Sequence, residues 1–128
     1  MGPYVLLVDD SPTIRKLLRF VLKRQGYEVL TACDGMEALE LLTWEHVDML
    51  ITDLNIPNVD GCELIRCIRE DTRRRDMPII ILCSEQRVAE RQEGLEAGAN
   101  SYLAKPFTTD TIRREVARYL KLRVKCEG

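Results

Sequence analysis

Short continuous apolar runs alternate along this chain with longer segments whose apolar residues recur three or four positions apart. Val5–Val8 is apolar at every position, the pattern of a strand buried on both faces of a sheet. Ser11 then offers a side-chain cap and Pro12 suits a first helical position. Ile14, Leu17, Leu18, Val21 and Leu22 fall on one helical stripe, which Gly26 ends. The unit repeats four more times. A strand over Val29–Ala32 leads through Asp34, a cap, to a helix reaching about Thr43 with Ala38, Leu39, Leu41 and Leu42. A strand over Val47–Thr52 ends at Asp53; Pro57 and Gly61 bound its loop, and a helix spans about Cys62–Asp71. A strand over Ile79–Cys83 precedes a helix from about Arg87 to Ala97, closed by Gly98. A short strand over Ser101–Ala104 ends at Lys105-Pro106, and a last helix runs from about Thr109 to Arg123 with Ile112, Val116, Tyr119 and Leu120 inward. Five such units predict an α/β doubly wound domain: a five-stranded parallel sheet with helices on both faces and right-handed crossovers.

Composition narrows the picture. The 128 residues are enough for one domain, with a core over about 4–121 and residues 122–128 as a tail or linker. Apolar residues make up 45% and charged residues 31%, which supports a buried core and excludes wholesale disorder. No apolar run approaches membrane-spanning length, and the N-terminus carries no secretory pattern. Leu6 stands where a myristoylation signal requires Ser or Thr. A cytoplasmic protein with no membrane contact is expected. Cys33, Cys62, Cys67, Cys83 and Cys126 form no C-x-x-C pair and read as reduced thiols packed as small hydrophobes. Residues 1–70 carry twelve Asp/Glu against seven Lys/Arg, whereas residues 105–128 carry three against seven. That basic segment fits either a solvated helix or a surface for an acidic partner.

In doubly wound sheets ligands bind beyond the carboxyl ends of the strands, so the residues there decide the function. They are Asp9, Asp10, Ser11 and Pro12 after the first strand, Asp53, Leu54 and Asn55 after the third, Ser84 and Glu85 after the fourth, and Lys105 and Pro106 after the fifth. Singly, each has a plain explanation as a cap, a turn residue or a surface charge. Together they do not. Three carboxylates on one rim repel one another and need a cation, and oxygen ligands of this kind suit Mg²⁺. A hydroxyl and an ammonium beside them can hold phosphoryl oxygens, and a carboxylate is a known nucleophile that forms acyl phosphates. The set reads as a magnesium-assisted phosphoryl acceptor.

With these residues the chain resembles the receiver domain of two-component response regulators, of the chemotaxis-regulator type. The resemblance runs from Tyr4 to about Lys121 through four motifs in order: Val8-Asp9-Asp10-Ser11, Asp53-Leu54-Asn55-Ile56-Pro57-Asn58-Val59-Asp60-Gly61, Leu82-Cys83-Ser84 and Ala104-Lys105-Pro106-Phe107. The spacings of 43 residues from Asp10 to Asp53, 31 to Ser84 and 21 to Lys105 are also similar to the family's. It implies a flavodoxin-like sheet of order 2-1-3-4-5. It also implies that Asp53 is the phosphoacceptor, charged by a sensor histidine kinase, a phosphotransfer protein or a small acyl phosphate. Asp9, Asp10, Asp53 and the backbone carbonyl of Asn55 would hold Mg²⁺ or Mn²⁺. Lys105 would pair with Asp53 and then its phosphate, and Pro106 would follow a cis peptide bond. Ser84 would move to a phosphoryl oxygen and Tyr102 would turn inward. The surface of the fourth helix, fifth strand and fifth helix would then change its preference for a downstream protein or for self-association, with Arg113, Arg114, Arg118 and Lys121 on its basic face. Nucleic acid is not an expected partner.

Two departures from the family pattern matter. Glu85 stands where the family usually has a small residue, so it opposes the phosphate's charge and obstructs small donors. Asn55 and Gln86 occupy the two variable positions linked to autodephosphorylation, and neither is a base. Ile56 replaces a frequent methionine without consequence. Three other readings compete. A haloacid-dehalogenase-like phosphatase needs a second Asp two residues after its nucleophile, where this chain has Asn55, so an acceptor rather than a turnover enzyme is expected. A flavodoxin needs a hydroxyl- and glycine-rich phosphate loop where Asp9 and Asp10 stand. A receiver-like scaffold that signals without phosphorylation is the third, favoured only by Glu85.

Overall fold

Residues 2–120 are described by the computed structural model; Met1 and residues 121–128, with Lys121, Cys126 and the expected tail, lie outside the described residues. The elements run β1 (Tyr4–Val8), α1 (Pro12–Arg24), β2 (Glu28–Ala32), α2 (Gly35–Trp44), β3 (Met49–Asp53), α3 (Gly61–Glu70), β4 (Ile79–Ser84), α4 (Val88–Ala97), β5 (Ser101–Lys105) and α5 (Thr109–Tyr119). All strands are parallel, in the order β2-β1-β3-β4-β5.

The apolar runs are buried on both sides, and alternation deals their side chains to two cores. Leu6, Val8, Leu50, Ile79 and Ile81 face α2 and α3, against Ala38, Leu42, Leu64, Ile65 and Ile68. Val5, Leu7, Met49, Ile51, Ile80 and Leu82 face α1 and α5, against Leu18, Val21, Leu22, Ile112 and Val116. Side chains cap four of the helices: Ser11, Asp34, Asp60 and Thr108 each accept from a backbone N–H in the first turn. The exception is α4, which has no side-chain cap and fully buries only Gly94.

β1 and β2 end where the apolar pattern predicts, and β3, β4 and β5 each end one residue later. Asp53 pairs with Leu82 and Lys105 with Ser84, so Asp53, Ser84 and Lys105 each close a strand rather than open a loop. β3 begins two residues later than Val47 because Asp48 turns its carboxylate onto the Tyr4 backbone N–H at 2.8 Å. α5 is described over Thr109–Tyr119 with Leu120 extended, and the expected end at Arg123 lies outside the described residues. No described helix is long and apolar enough to cross a membrane.

One side chain ties the loops at the opposite end of the sheet. Arg69, on the last turn of α3, donates to the carbonyls of Gly98 (2.9 Å), Arg75 (2.8 Å) and Met77 (2.7 Å) and to Asn100 Oδ1 (2.9 Å). Asn100 Oδ1 also accepts from the Ile79 N–H at 2.8 Å, so the start of β4, the end of α4 and the start of β5 share one guanidinium. Replacing Arg69 by Met keeps the aliphatic stem and strands these acceptors. We expect Arg69→Met to lower stability by about 2–4 kcal/mol. Urea unfolding checks this: the midpoint falls with an unchanged slope. Arg69→Lys falls between the two, since one ammonium cannot span the fork.

Candidate functional site

The carboxyl ends of β1, β3, β4 and β5 converge on one rim, and the expected residues meet there. One oxygen each from Asp9, Asp10 and Asp53 lies within 4.8 Å of the others. Lys105 Nζ stands 3.3 Å from Asp53 Oδ2 and 4.0 Å from Asp9 Oδ2. Asp53 Oδ1 accepts from the Asn55 backbone N–H at 3.1 Å, so both oxygens of this carboxylate are engaged.

Asp9 is the buried member, 2% exposed, whereas Asp10 is exposed. Its Oδ1 accepts from the Ser11 N–H at 2.8 Å, but its buried Oδ2 has no hydrogen-bond partner. Burial holds the Asp9 carboxyl above the ordinary aspartate range. The Ser11 amide and Lys105 pull it down, and the charges of Asp53 and Asp10 push it up. An orphaned buried carboxylate oxygen facing two further carboxylates is a set of hard oxygen donors that fits Mg²⁺.

Backbone packing sets the height of this rim. A Cβ on Gly61 would lie 2.6 Å from Leu54 Cα and 2.7 Å from the Asp53 carbonyl oxygen, so only glycine lets α3 start against the strand that carries Asp53. The Asp60–Glu63 capping box fixes that start. In the sequence Gly61 reads only as the boundary of a loop. The Lys105–Pro106 peptide bond is cis.

The remaining candidates lie farther along the rim. Ser84 is half-buried and its Oγ accepts from the Gln86 N–H at 3.3 Å. Glu85 and Gln86 are exposed. Tyr102 is 41% exposed with the Arg91 guanidinium over its ring, 4.5 Å from the centroid. Arg113, Arg114 and Arg118 are exposed on α5; Lys121 lies outside the described residues. One contact has no signal in the sequence, and a local i,i+3 ion pair supports it. Asn55 Nδ2 donates to Glu90 Oε1 at 3.1 Å across 35 residues, and Arg87 Nη1 donates to Glu90 Oε2 at 2.9 Å. No periodicity or motif pairs Asn55 with Glu90; only the packing of α4 beside the loop after β3 does.

Comparison with known proteins agrees with this geometry. Residues 5–117 match the family model of the response regulator receiver domain. The sensor protein EvgS of Escherichia coli O157:H7 is 42% identical over 114 residues, 89% of this chain, which spans only 9% of that protein's length. A chemotaxis protein CheY homolog of Campylobacter jejuni is 42% identical, with 88% of each chain covered. The receiver domain of the sensor histidine kinase PA1611 from Pseudomonas aeruginosa was solved with a magnesium ion coordinated in its active-site cleft. It superposes with a TM-score of 0.86 at 33% identity, covering 93% of this chain and 98% of that one. The chain belongs to the response regulator receiver domain family, whose general function is phosphorylation-dependent switching and whose members interact with histidine kinases and downstream targets.

Proposed function

We propose that this chain accepts a phosphoryl group on Asp53 and answers by changing the surface formed by α4, β5 and α5. The observation that carries the reading is Lys105 Nζ between Asp53 Oδ2 and the buried, otherwise unpartnered Asp9 Oδ2. That ammonium offsets the charge of a nucleophilic carboxylate and stays close enough to bind the phosphate formed on it.

Asp9, Asp10, Asp53 and the Asn55 carbonyl would hold Mg²⁺, as the acidic cluster and the magnesium-bearing PA1611 receiver support. When bound, the ion neutralises charge on the phosphoryl oxygens. The Asp53 carboxylate attacks the phosphorus of a phosphohistidine or small acyl phosphate. The donor's P–N or P–O bond breaks and the leaving group keeps its electron pair. Lys105 then pairs with the phosphate, Ser84 leaves its contact with the Gln86 amide to donate to a phosphoryl oxygen, and Tyr102 turns in from beneath Arg91. The output surface carries a groove of about 510 Å³ lined by Leu95, Tyr102, Phe107, Glu115, Arg118 and Tyr119. Arg118 in the groove and the exposed Arg113 and Arg114 on the same helix suit an acidic downstream protein or a second copy. A sensor histidine kinase or phosphotransfer protein is the donor.

Incubation with Mg²⁺ and acetyl phosphate is expected to add one phosphoryl group by intact mass. The addition is absent in EDTA and in Asp53→Asn. No addition to the native chain or to Glu85→Ala, with no beryllofluoride complex, selects the phosphate-free scaffold instead.

Glu85 is exposed beside Ser84 and repels an incoming anion. Glu85→Ala is expected to speed phosphorylation by acetyl phosphate about threefold to tenfold, the effect of roughly one like-charge contact. The rate of phosphoryl addition checks this.

The raised Asp9 pKa makes a third prediction. Folded Asp9 binds its proton more tightly than unfolded Asp9 does. The stability this gives is complete below the ordinary aspartate pKa and is lost as pH rises through the raised one. At pH 7 without metal, Asp9→Asn therefore melts a few degrees above the native chain, because Asn keeps an oxygen for the Ser11 N–H and removes the buried charge. The gap closes toward pH 4, and Mg²⁺ raises the melting temperature of the native chain but not of the variant. Thermal melts across pH, with and without Mg²⁺, test all three statements.

A further inference from the structure

Asn55 stands between two acceptors on different elements. Its backbone N–H donates to Asp53 Oδ1 and its Nδ2 to Glu90 Oε1, both at 3.1 Å. A carboxylate only accepts, so the amide nitrogen must face α4, and this fixes which way the carboxamide is turned. Glu90 is itself held: its Oε2 accepts from Arg87 Nη1 at 2.9 Å, and its side chain is 31% exposed. The chain Arg87–Glu90–Asn55 caps no backbone N–H of α4 but fastens the start of that helix to the loop after β3. With the nitrogen engaged, the amide presents Oδ1, which accepts no hydrogen bond among the described residues.

We propose that Glu90 is a positioning residue that orients the Asn55 carboxamide and thereby sets how fast the acyl phosphate on Asp53 is hydrolysed; this rests on the acceptor reading above. In that hydrolysis a water oxygen attacks phosphorus while the P–O bond to Asp53 breaks. Asp53 keeps the bonding pair as a carboxylate, the water's proton passes to solvent, and inorganic phosphate leaves. A carbonyl oxygen at the rim accepts one O–H of that water and aims its lone pair, whereas an amide N–H cannot accept it. An untethered amide next to a phosphoryl dianion turns its NH₂ toward the anion instead, which stabilises the acyl phosphate and leaves the water unaligned. Glu90 competes for that NH₂ and keeps the oxygen outward.

The test is the decay of the phosphorylated chain after donor removal, followed by intact mass. Acetyl phosphate or phosphoramidate loads it, whichever reacts. Glu90→Ala is expected to slow the decay about threefold to tenfold, the effect of one neutral hydrogen bond on the attacking water. Glu90→Gln retains an acceptor oxygen and decays close to the native rate, which separates orientation from loss of charge. Asn55→Ala also decays slowly, and adding Glu90→Ala to it changes nothing further. Equal decay of the native chain and Glu90→Ala overturns the proposal. So does equal slowing by Gln and Ala, or an effect of Glu90→Ala that persists without the Asn55 side chain. A chain that takes no phosphoryl group from either donor, even as Glu85→Ala, overturns the acceptor reading itself, and the role of Glu90 falls with it.

Discussion

Negative charge removed from water is the constraint around which this molecule is organised. Asp9 is almost fully buried with one oxygen unpartnered, Asp10 and Asp53 face it, and a single ammonium stands among them. Such a cluster is costly in the protein alone. It persists because the sheet beneath it is rigid: the strands below the rim carry Val5–Val8, Leu50, Ile51 and Ile79–Ile81, which are buried to within 1%. Charge stress at the rim is thus borne by apolar burial in the layers below. The arrangement favours whatever brings positive charge, or compensates a further negative one, to this place.

The same sheet explains how residues far apart in the chain arrive with sub-ångström demands. Asp53 and Lys105 sit on strands separated by β4, and the lysine reaches over the end of that strand, where Ser84 lies. A shift of one residue in any register would turn the rim side chains into one of the two cores. Both faces of β1 are apolar, so hydropathy alone does not hold the register; the fit of Leu6 and Val8 in one core and of Val5 and Leu7 in the other does. The precision of the site therefore comes from hydrophobic residues that never touch it.

This division also decides what could be read in the sequence. Continuous apolar strands, side-chain caps at Ser11 and Asp34 and the glycine stop at Gly26 are local signals, and each element they announce is present. The residues at the strand ends were legible because the fold class fixes where the ends go. Strand limits were less so: Asp53 and Lys105 join the ladder through partners on β4, which hydropathy cannot see. The close approach of Gly61 to the backbone of Leu54, the fork of Arg69 and the Asn55–Glu90 bond all depend on where one element lies against another. No spacing within a single segment encodes such contacts.

α4 shows why that last group matters most for a switch. It buries one glycine, lacks a side-chain cap and is joined to the rest partly through exposed polar contacts: Glu90 to Asn55, and Arg91 over the ring of Tyr102. Exposed contacts of this kind contribute about 0.5–1 kcal/mol each. A phosphoryl group on Asp53, by contrast, brings charge-assisted hydrogen bonds of about 1.5–3 kcal/mol each. On the proposed reading, two such bonds, to Lys105 and Ser84, outweigh everything exposed that holds α4 and Tyr102 in place. The cores made by α2, α3, α1 and α5 lie far above that scale. The energy of one phosphorylation can therefore redistribute α4 and the ring of Tyr102 while leaving the sheet unmoved. On the proposed reading, the shallow apolar burial of α4 and the exposed polar contacts beside it are what let a local charge be felt on a surface that partners can read.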